Sequence, residues 1–316
     1  MKNKVIKSDN EISEICSFSL GGYQQKVLIE GKSKENPIVI TLHGGPGTPI
    51  PFSVGCRGLF PVFTNDFIMV YWDQLGCGIN NHIIDDTFSV DTFVEMTEDL
   101  IKCIKEKFTD NRIIIFSTSW GSILSAKLLE KNPNAVDAVV ACGQIVKNVF
   151  FCDEVKEALA KSKLSKKKLE RIRSVTAENY TAKDMQLISN ALRKYTDAYQ
   201  NKTGKKAPIG SIIKGLMKSP DYTMKDFKAI VINGYMKNRS LWKEITRINL
   251  TEQLSNVKIP YMILQGDTDI VASTKQVEEL IANSNNSNLK CKVVANTGHM
   301  PGVEMMDTLL TALHKI

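Results

Sequence analysis

The sequence contains no apolar run approaching the ~20 residues needed to cross a membrane as a helix. No cysteines stand at the CxxC spacing of a metal site. The seven, Cys16, Cys56, Cys77, Cys103, Cys142, Cys152 and Cys291, are odd in number and scattered. A disulfide-stapled fold is excluded on that pattern, and reduced thiols are expected. The opening MKNKVIKSDNEISEI lacks the apolar core of a secretory leader. Together with the thiols, this leads us to expect a cytoplasmic protein. Repeats, collagen-like periodicity and low-complexity tracts are missing. Histidine is scarce: His43, His82, His299 and His314 are the only four.

What is present is an ordinary globular composition. The chain has 316 residues, 43% hydrophobic and 24% charged. That is enough for one large domain, or for one domain with a sizeable insertion. The net charge of +7 is unevenly spread. Residues 146–247 carry 23 Lys and Arg against 10 Asp and Glu, a local +13 that leaves −6 on the rest. A basic segment inside an acidic chain marks a boundary. Solvated helix faces account for the lysine excess without a nucleic-acid partner. No recognised nucleic-acid motif or basic–aromatic stripe accompanies it.

Short apolar, β-branched runs at 26–30, 38–42, 67–72, 112–117, 136–142, 261–265 and 290–295 predict strands. Several are apolar without alternation, the pattern of strands covered on both faces. Helical periodicity occupies 92–108, 120–131, 274–283 and 303–315. The alternation predicts an α/β fold, with a mostly parallel central sheet, helices on both faces and right-handed crossovers. Between 146 and 247 no convincing strand occurs. Helices are predicted there at 152–161, 165–173, 182–199, 208–217 and 225–235, with turn-rich breaks at 201–208 and 218–222. We read 1–145 and 248–316 as two parts of one core, and 146–247 as an all-helical cap insertion.

Ser117-Thr118-Ser119-Trp120-Gly121 lies between a strand and a helix. It is nearly the G-x-S-x-G nucleophile elbow, whose sharp turn demands small residues two positions either side of the serine. Ser117 replaces the first glycine. A simple helix N-cap at Ser119 is the competing reading. His43-Gly44-Gly45-Pro46-Gly47 follows the strand at 38–42. A glycine-rich loop there lets backbone N–H groups face an oxyanion. Gly45 and Trp120 are the candidate donors, with Gly44 the alternative. On its own, HGGPG reads equally as a tight turn. His43 is assigned to bracing this loop. A serine nucleophile needs a base, and the base an orienting acid. His299 lies between the last strand and the final helix. His314 reads as surface, and His82 is a distant second. For the acid, Asp269 follows the strand at 261–265, three residues after Gly266, with Asp267 the competitor. The order Ser119, Asp269, His299 is that of the elbow-bearing enzymes.

On these residues the sequence resembles the alpha/beta-hydrolase superfamily, in its proline-iminopeptidase-like branch. HGGPG at 43–47, Tyr71-Trp72-Asp73-Gln74-Leu75-Gly76-Cys77-Gly78 and Ser119-Trp120-Gly121-Ser122 carry the resemblance, which covers about 24–144 and 259–316. It implies a helical cap between the core parts, and Asp73 and Gln74 as organisers of the loop beside the oxyanion site. It implies a serine hydrolase that releases N-terminal proline or a similar residue from a short peptide, without cofactor or metal. There are two departures. Leu75 stands where the branch carries arginine, and the basic insertion offers only Trp242 and Glu244 toward an amino-terminal group. An esterase or acyl hydrolase of small molecules is therefore the alternative, and a non-catalytic binding protein a third reading. Gln144, closing the strand at 136–142, is a further candidate pocket residue. Cys77 reads as a small filler.

Overall fold

The structure is a computed structural model that describes residues 10–200, 209–232 and 238–316. The apolar runs become strands of one eight-stranded sheet: β1 (Ile12–Leu20), β2 (Tyr23–Gly31), β3 (Ile38–Leu42), β4 (Ile68–Trp72), β5 (Ile113–Thr118), β6 (Ala138–Cys142), β7 (Tyr261–Gly266) and β8 (Leu289–Val294). Their order is β1-β2-β4-β3-β5-β6-β7-β8. β1 and β2 pair antiparallel, as do β2 and β4, and the remaining pairs are parallel.

Alternate side chains of the inner strands enter different cores. Ile113 and Ile115 of β5 join one cluster with Ile40, Val70 and Val139. Ile114 and Phe116 join another with Val39, Met69 and Val140. The first cluster takes in α2 (Val90–Lys107) and α3 (Trp120–Lys131), and the second takes in Met305, Leu309 and Leu313 of α12 (Val303–Lys315). Burial on both faces explains why the inner strands β3 to β7 lack an apolar–polar alternation. α1 (Pro61–Thr64), α10 (Thr251–Ser255) and α11 (Thr274–Asn283) complete the core helices.

Between β6 and α10 lie, among the described residues, six helices and no strand: α4 (Asp153–Ala160), α5 (Lys166–Ser174), α6 (Ala182–Tyr195), α7 (Ile209–Met217), α8 (Met224–Ile232) and α9 (Arg239–Arg247). The inserted chain leaves and rejoins the core side by side. Leu250 N–H donates to Val146 O at 2.8 Å, and Lys147 bridges Asn249. Among the described residues no helix is long and apolar enough to cross a membrane.

Three differences from the sequence pattern have physical causes. β1 is an additional strand, joined to β2 by Gly21 and Gly22 at φ 58° and 80°. α6 ends at Tyr195 rather than at 199, because the following residues run along a core loop. α9 is an additional helix. The Asn238 side chain caps it, accepting from Leu241 N–H at 2.8 Å, and Leu241 and Ile245 are buried one turn apart. The turn at 201–208, Pro208, and the end of the helix predicted at 225–235 lie outside the described residues.

The insertion is held to the edge of the sheet by a forked ion pair. Arg57 Nε and Nη2 donate to Asp221 at 2.7 and 2.9 Å, and Arg57 Nη1 donates to Ser13 O at 2.7 Å. Each of the two charged side chains is only 12% exposed. Asp221→Ala removes the forked partner of the guanidinium, leaving, among the described residues, only Glu30 nearby, and is expected to lower the unfolding free energy by about 2–3 kcal/mol. Urea denaturation measures this, and an unchanged midpoint would show that the pair holds nothing.

Candidate active site

The turn between β5 and α3 places Ser119 at φ 48° and ψ −115°, a backbone region costing a non-glycine residue about 1–3 kcal/mol. Gly121 makes the turn possible, since a Cβ there would lie 2.1 Å from Leu42 O. On the other side, Ser117 is fully buried, and its hydroxyl finds Ser125 Oγ at 3.1 Å. Serine therefore serves where glycine is usual. Ser119 Oγ does not cap α3. It stands 2.9 Å from His299 Nε2 instead.

His299 Nδ1 lies 2.7 Å from Asp269 Oδ2. A carboxylate there only accepts, so Nδ1 carries the hydrogen and Nε2 is left to accept from the serine. Asp269 is fixed in turn: its Oδ1 accepts from Val271 and Ala272 N–H at 2.9 and 3.0 Å, and Gln265 Nε2 donates to Oδ2 at 3.3 Å. Asp267, the competing acid, accepts from Asn296 and Thr297 N–H at 2.9 Å each and thereby shapes the loop that carries His299. His82 packs against Tyr23, and His314 stands beside Asp66; neither is at the serine.

The inserted segment grips the same loop. His299 N–H donates to Ala198 O at 2.7 Å, and Met300 N–H donates to Tyr199 O at 2.8 Å. A Cβ on Gly298 would lie 2.7 Å from Asp197 O, so only glycine lets the two backbones meet. The buried Tyr199 ring stands edge-on to the His299 ring, 6.0 Å between centroids, with the Arg193 guanidinium 3.9 Å over it. This requirement is what ends α6 early.

The glycine-rich loop packs onto the serine: a Cβ on Gly44 would lie 3.3 Å from Ser119 Cβ. Gly45 sits at φ 122°. Among the described residues nothing accepts from the Gly45 or Trp120 amide. His43 Nε2 accepts from Gln74 N–H at 3.0 Å, so its Nδ1 donates to Gly44 O at 2.8 Å. Gln74 bridges the loops. Its Nε2 donates to His43 O at 3.2 Å, and its Oε1 accepts from Trp120 Nε1 at 2.8 Å. Asp73 is fully buried and accepts from Val54 and Ile79 N–H and from the Tyr222 hydroxyl of the insertion. Gly78 must be glycine, because a Cβ would lie 2.0 Å from Asp73 Oδ2. Cys77 is buried with its thiol on Gln74 O, and burial pushes its pKa well up.

The remaining sequence candidates are placed differently. Gln144 is fully buried. Its Oε1 accepts from Tyr261 OH at 2.6 Å, its Nε2 donates to Ile145 O, and its N–H donates to Gln265. Glu244 accepts from Val90 N–H at 2.9 Å, at the first turn of α2. Trp242 lines a cleft wholly within the insertion. Tyr199, Tyr222 and Gln265 touch the site machinery without any local sequence signal, since each acts across a long separation.

The family profile described as alpha/beta hydrolase fold matches residues 37–304. The chain is 21% identical over 313 residues to a probable aminopeptidase of Bacillus subtilis, covering 95% of each. It is 24% identical over 309 residues to a proline iminopeptidase of Lactobacillus acidophilus, covering 93% of this chain and 94% of that one. Among solved structures, a proline iminopeptidase of Mycobacterium smegmatis superposes with a TM-score of 0.64 at 15% identity, over 96% of this chain and 97% of that one.

Burial opposes the charged form of both loop organisers. It lowers the His43 pKa from 6.5 to about 4 and raises that of Asp73 from 3.8 to about 6. The signs are opposite. As pH falls from 6.5 through 4, the unfolded chain protonates His43 first, and the fold loses stability. From about 6 to 3.8 the folded chain protonates Asp73 first, and the fold gains it. Comparison with His43→Gln isolates the histidine. Between pH 7.5 and 4 the wild type should lose about 3 kcal/mol more unfolding free energy than the variant. Parallel urea-unfolding curves at the two pH values would contradict this.

Proposed function

The chain belongs to the alpha/beta hydrolase fold family, and from that premise we propose that it is a serine hydrolase working through an acyl-enzyme. The observation that carries the reading is the unbroken relay Ser119 Oγ–His299 Nε2–His299 Nδ1–Asp269 Oδ2, at 2.9 and 2.7 Å. Ser119 Oγ attacks a carbonyl carbon as its proton passes to His299 Nε2. Asp269 holds the imidazole tautomer and stabilises the imidazolium. The Gly45 and Trp120 amides donate to the tetrahedral oxyanion. His299 then protonates the leaving group, and water, activated by the same imidazole, hydrolyses the acyl-serine. The inserted helices act as a cap that covers the acyl or leaving-group site and excludes water.

The substrate is a small ester, amide or short peptide, and the ester reading comes first. An N-terminal residue enters as an ammonium, which needs a carboxylate to receive it. Glu244, the acid the sequence offers for that task, is engaged by the α2 backbone. The insertion around it carries a net +13. Release of N-terminal proline is the second reading, favoured by what the curated relatives are named for.

A fluorophosphonate should label the wild type on Ser119, and Ser119→Ala should neither label nor turn over p-nitrophenyl esters. Labelling of the variant at the wild-type rate would remove Ser119 from the mechanism. Turnover of p-nitrophenyl butyrate without turnover of proline p-nitroanilide is the expected pattern. Selective cleavage of the anilide would reverse the order of the two readings.

A further inference from the structure

β7 is buried almost throughout, and Tyr261, Ile263 and Gln265 alternate onto one of its faces. Tyr261 and Ile263 belong to the first core cluster, so two polar side chains stand on a face turned to an apolar core. Such groups are costly unless they are paired, and the partners of these two lead to the triad. Gln265 Oε1 accepts from Gln144 N–H at 3.0 Å. That bond leaves Nε2 on the other side of the amide, where it donates to Ala272 O and, at 3.3 Å, to Asp269 Oδ2. Oδ2 is the oxygen that faces His299 Nδ1. The two oxygens of Asp269 are thus held differently. Backbone N–H groups of its own turn fix Oδ1, whereas Gln265 shares Oδ2 with the imidazole.

The anchor of the Gln265 amide is fixed in turn. The Gln144 side chain accepts from Tyr261 OH at 2.6 Å and donates to Ile145 O at 2.7 Å. The next amide, Ile145 N–H, donates to Ser122 Oγ at 3.1 Å, and Ser122 Oγ donates to Ser119 O at 2.6 Å. Consecutive amides of one segment therefore reach both ends of the triad. Gln144 acts through Gln265 on the acid, and Ile145 through Ser122 on the backbone of the nucleophile. Ser122, Gln144 and Gln265 are fully buried, so bulk water does not compete for these bonds. Gly143, at φ 62°, brings the segment close: a Cβ there would lie 3.3 Å from the His299 ring.

We propose that Gln265 is a positioning residue of the triad. Pinned by the Gln144 backbone, its amide holds Asp269 Oδ2 in line with His299 Nδ1, in register with the nucleophile that the same segment anchors through Ser122. The inference rests on the serine-hydrolase reading and adds to it the group that aims the acid.

Two variants of the full chain test this, with rates expressed per site titrated by a fluorophosphonate. Gln265→Met keeps the length of the side chain and removes its amide. Acylation and deacylation both use His299, so kcat on p-nitrophenyl butyrate should fall roughly tenfold at unchanged KM. Gln265→Glu keeps an acceptor for Gln144 N–H and sets a second carboxyl against Asp269. Protonated, that carboxyl still donates to Oδ2; ionised, it repels it. The rate of Gln265→Glu relative to wild type should therefore fall as pH rises from about 6 to about 9. Tyr199 and Cys152, which also stand near Asp269, are pushed up by burial, Cys152 to about 12, and do not titrate in that range. Wild-type kcat in Gln265→Met, or a Gln265→Glu ratio independent of pH, would overturn the inference alone. A wild type that the fluorophosphonate does not label would overturn the serine-hydrolase reading and the inference together.

Discussion

The backbone at Ser119 is the constraint on which the rest of the site depends. A serine at φ 48° is strained, by about 1–3 kcal/mol, and would relax if its neighbours let it. They do not. The residues on one side are β5, paired with β3 and β6 in the middle of the sheet. On the other side α3 buries Trp120, Ile123, Leu124 and Leu128 completely. Each such side chain contributes about 1.5–3 kcal/mol on burial, so the packing of α3 outweighs the strain of the turn. The result is a hydroxyl lifted off the sheet edge, with the first amide of a helix beside it.

Two loops are built against that turn, and both are rigid for reasons of close packing. The glycine loop at 43–47 touches Ser119 through Gly44, and His43 and Gln74 tie it to the Asp73 loop and to the Trp120 indole. The His299 loop is held from below by Asp267 and from above by the backbone of Ala198 and Tyr199. The segment between β6 and β7 thus reaches both loops. At Tyr199 it packs against the ring of His299, the proposed base, and at Tyr222 it contributes a hydrogen bond to Asp73 in the opposite loop. A change in the insertion near either tyrosine should be felt at the serine without any contact to substrate.

Features with a local cause were legible in the sequence, and those with a distant cause were not. The strands β3 to β7 announce themselves because burial on both faces demands continuous apolar runs. Ser119, Asp269 and His299 stand out because a sharp turn, a strand end and a loop each need small or polar residues nearby. The edge strand β1 is masked by its half-exposed, irregular pattern, although Leu20-Gly21-Gly22-Tyr23 carries a two-residue hairpin signal. The end of α6 cannot be read locally, since Thr196 to Tyr199 continue a helical pattern that only the His299 loop interrupts. Glu244 looks available in sequence, and its engagement by Val90 depends on α9 lying across the start of α2. Ser117 in place of glycine looks like a defect until Ser125 is found within hydrogen-bond distance.

The central claim is that Ser119 forms a covalent acyl intermediate. It is tested most directly by acid-quenching the enzyme during turnover of p-nitrophenyl butyrate and measuring the mass of the intact protein and its peptides. A butyryl adduct is expected on the peptide containing Ser119, one per chain, accumulating with a burst of nitrophenol. Turnover with no adduct, or with the acyl group on another side chain such as Cys77, would contradict it.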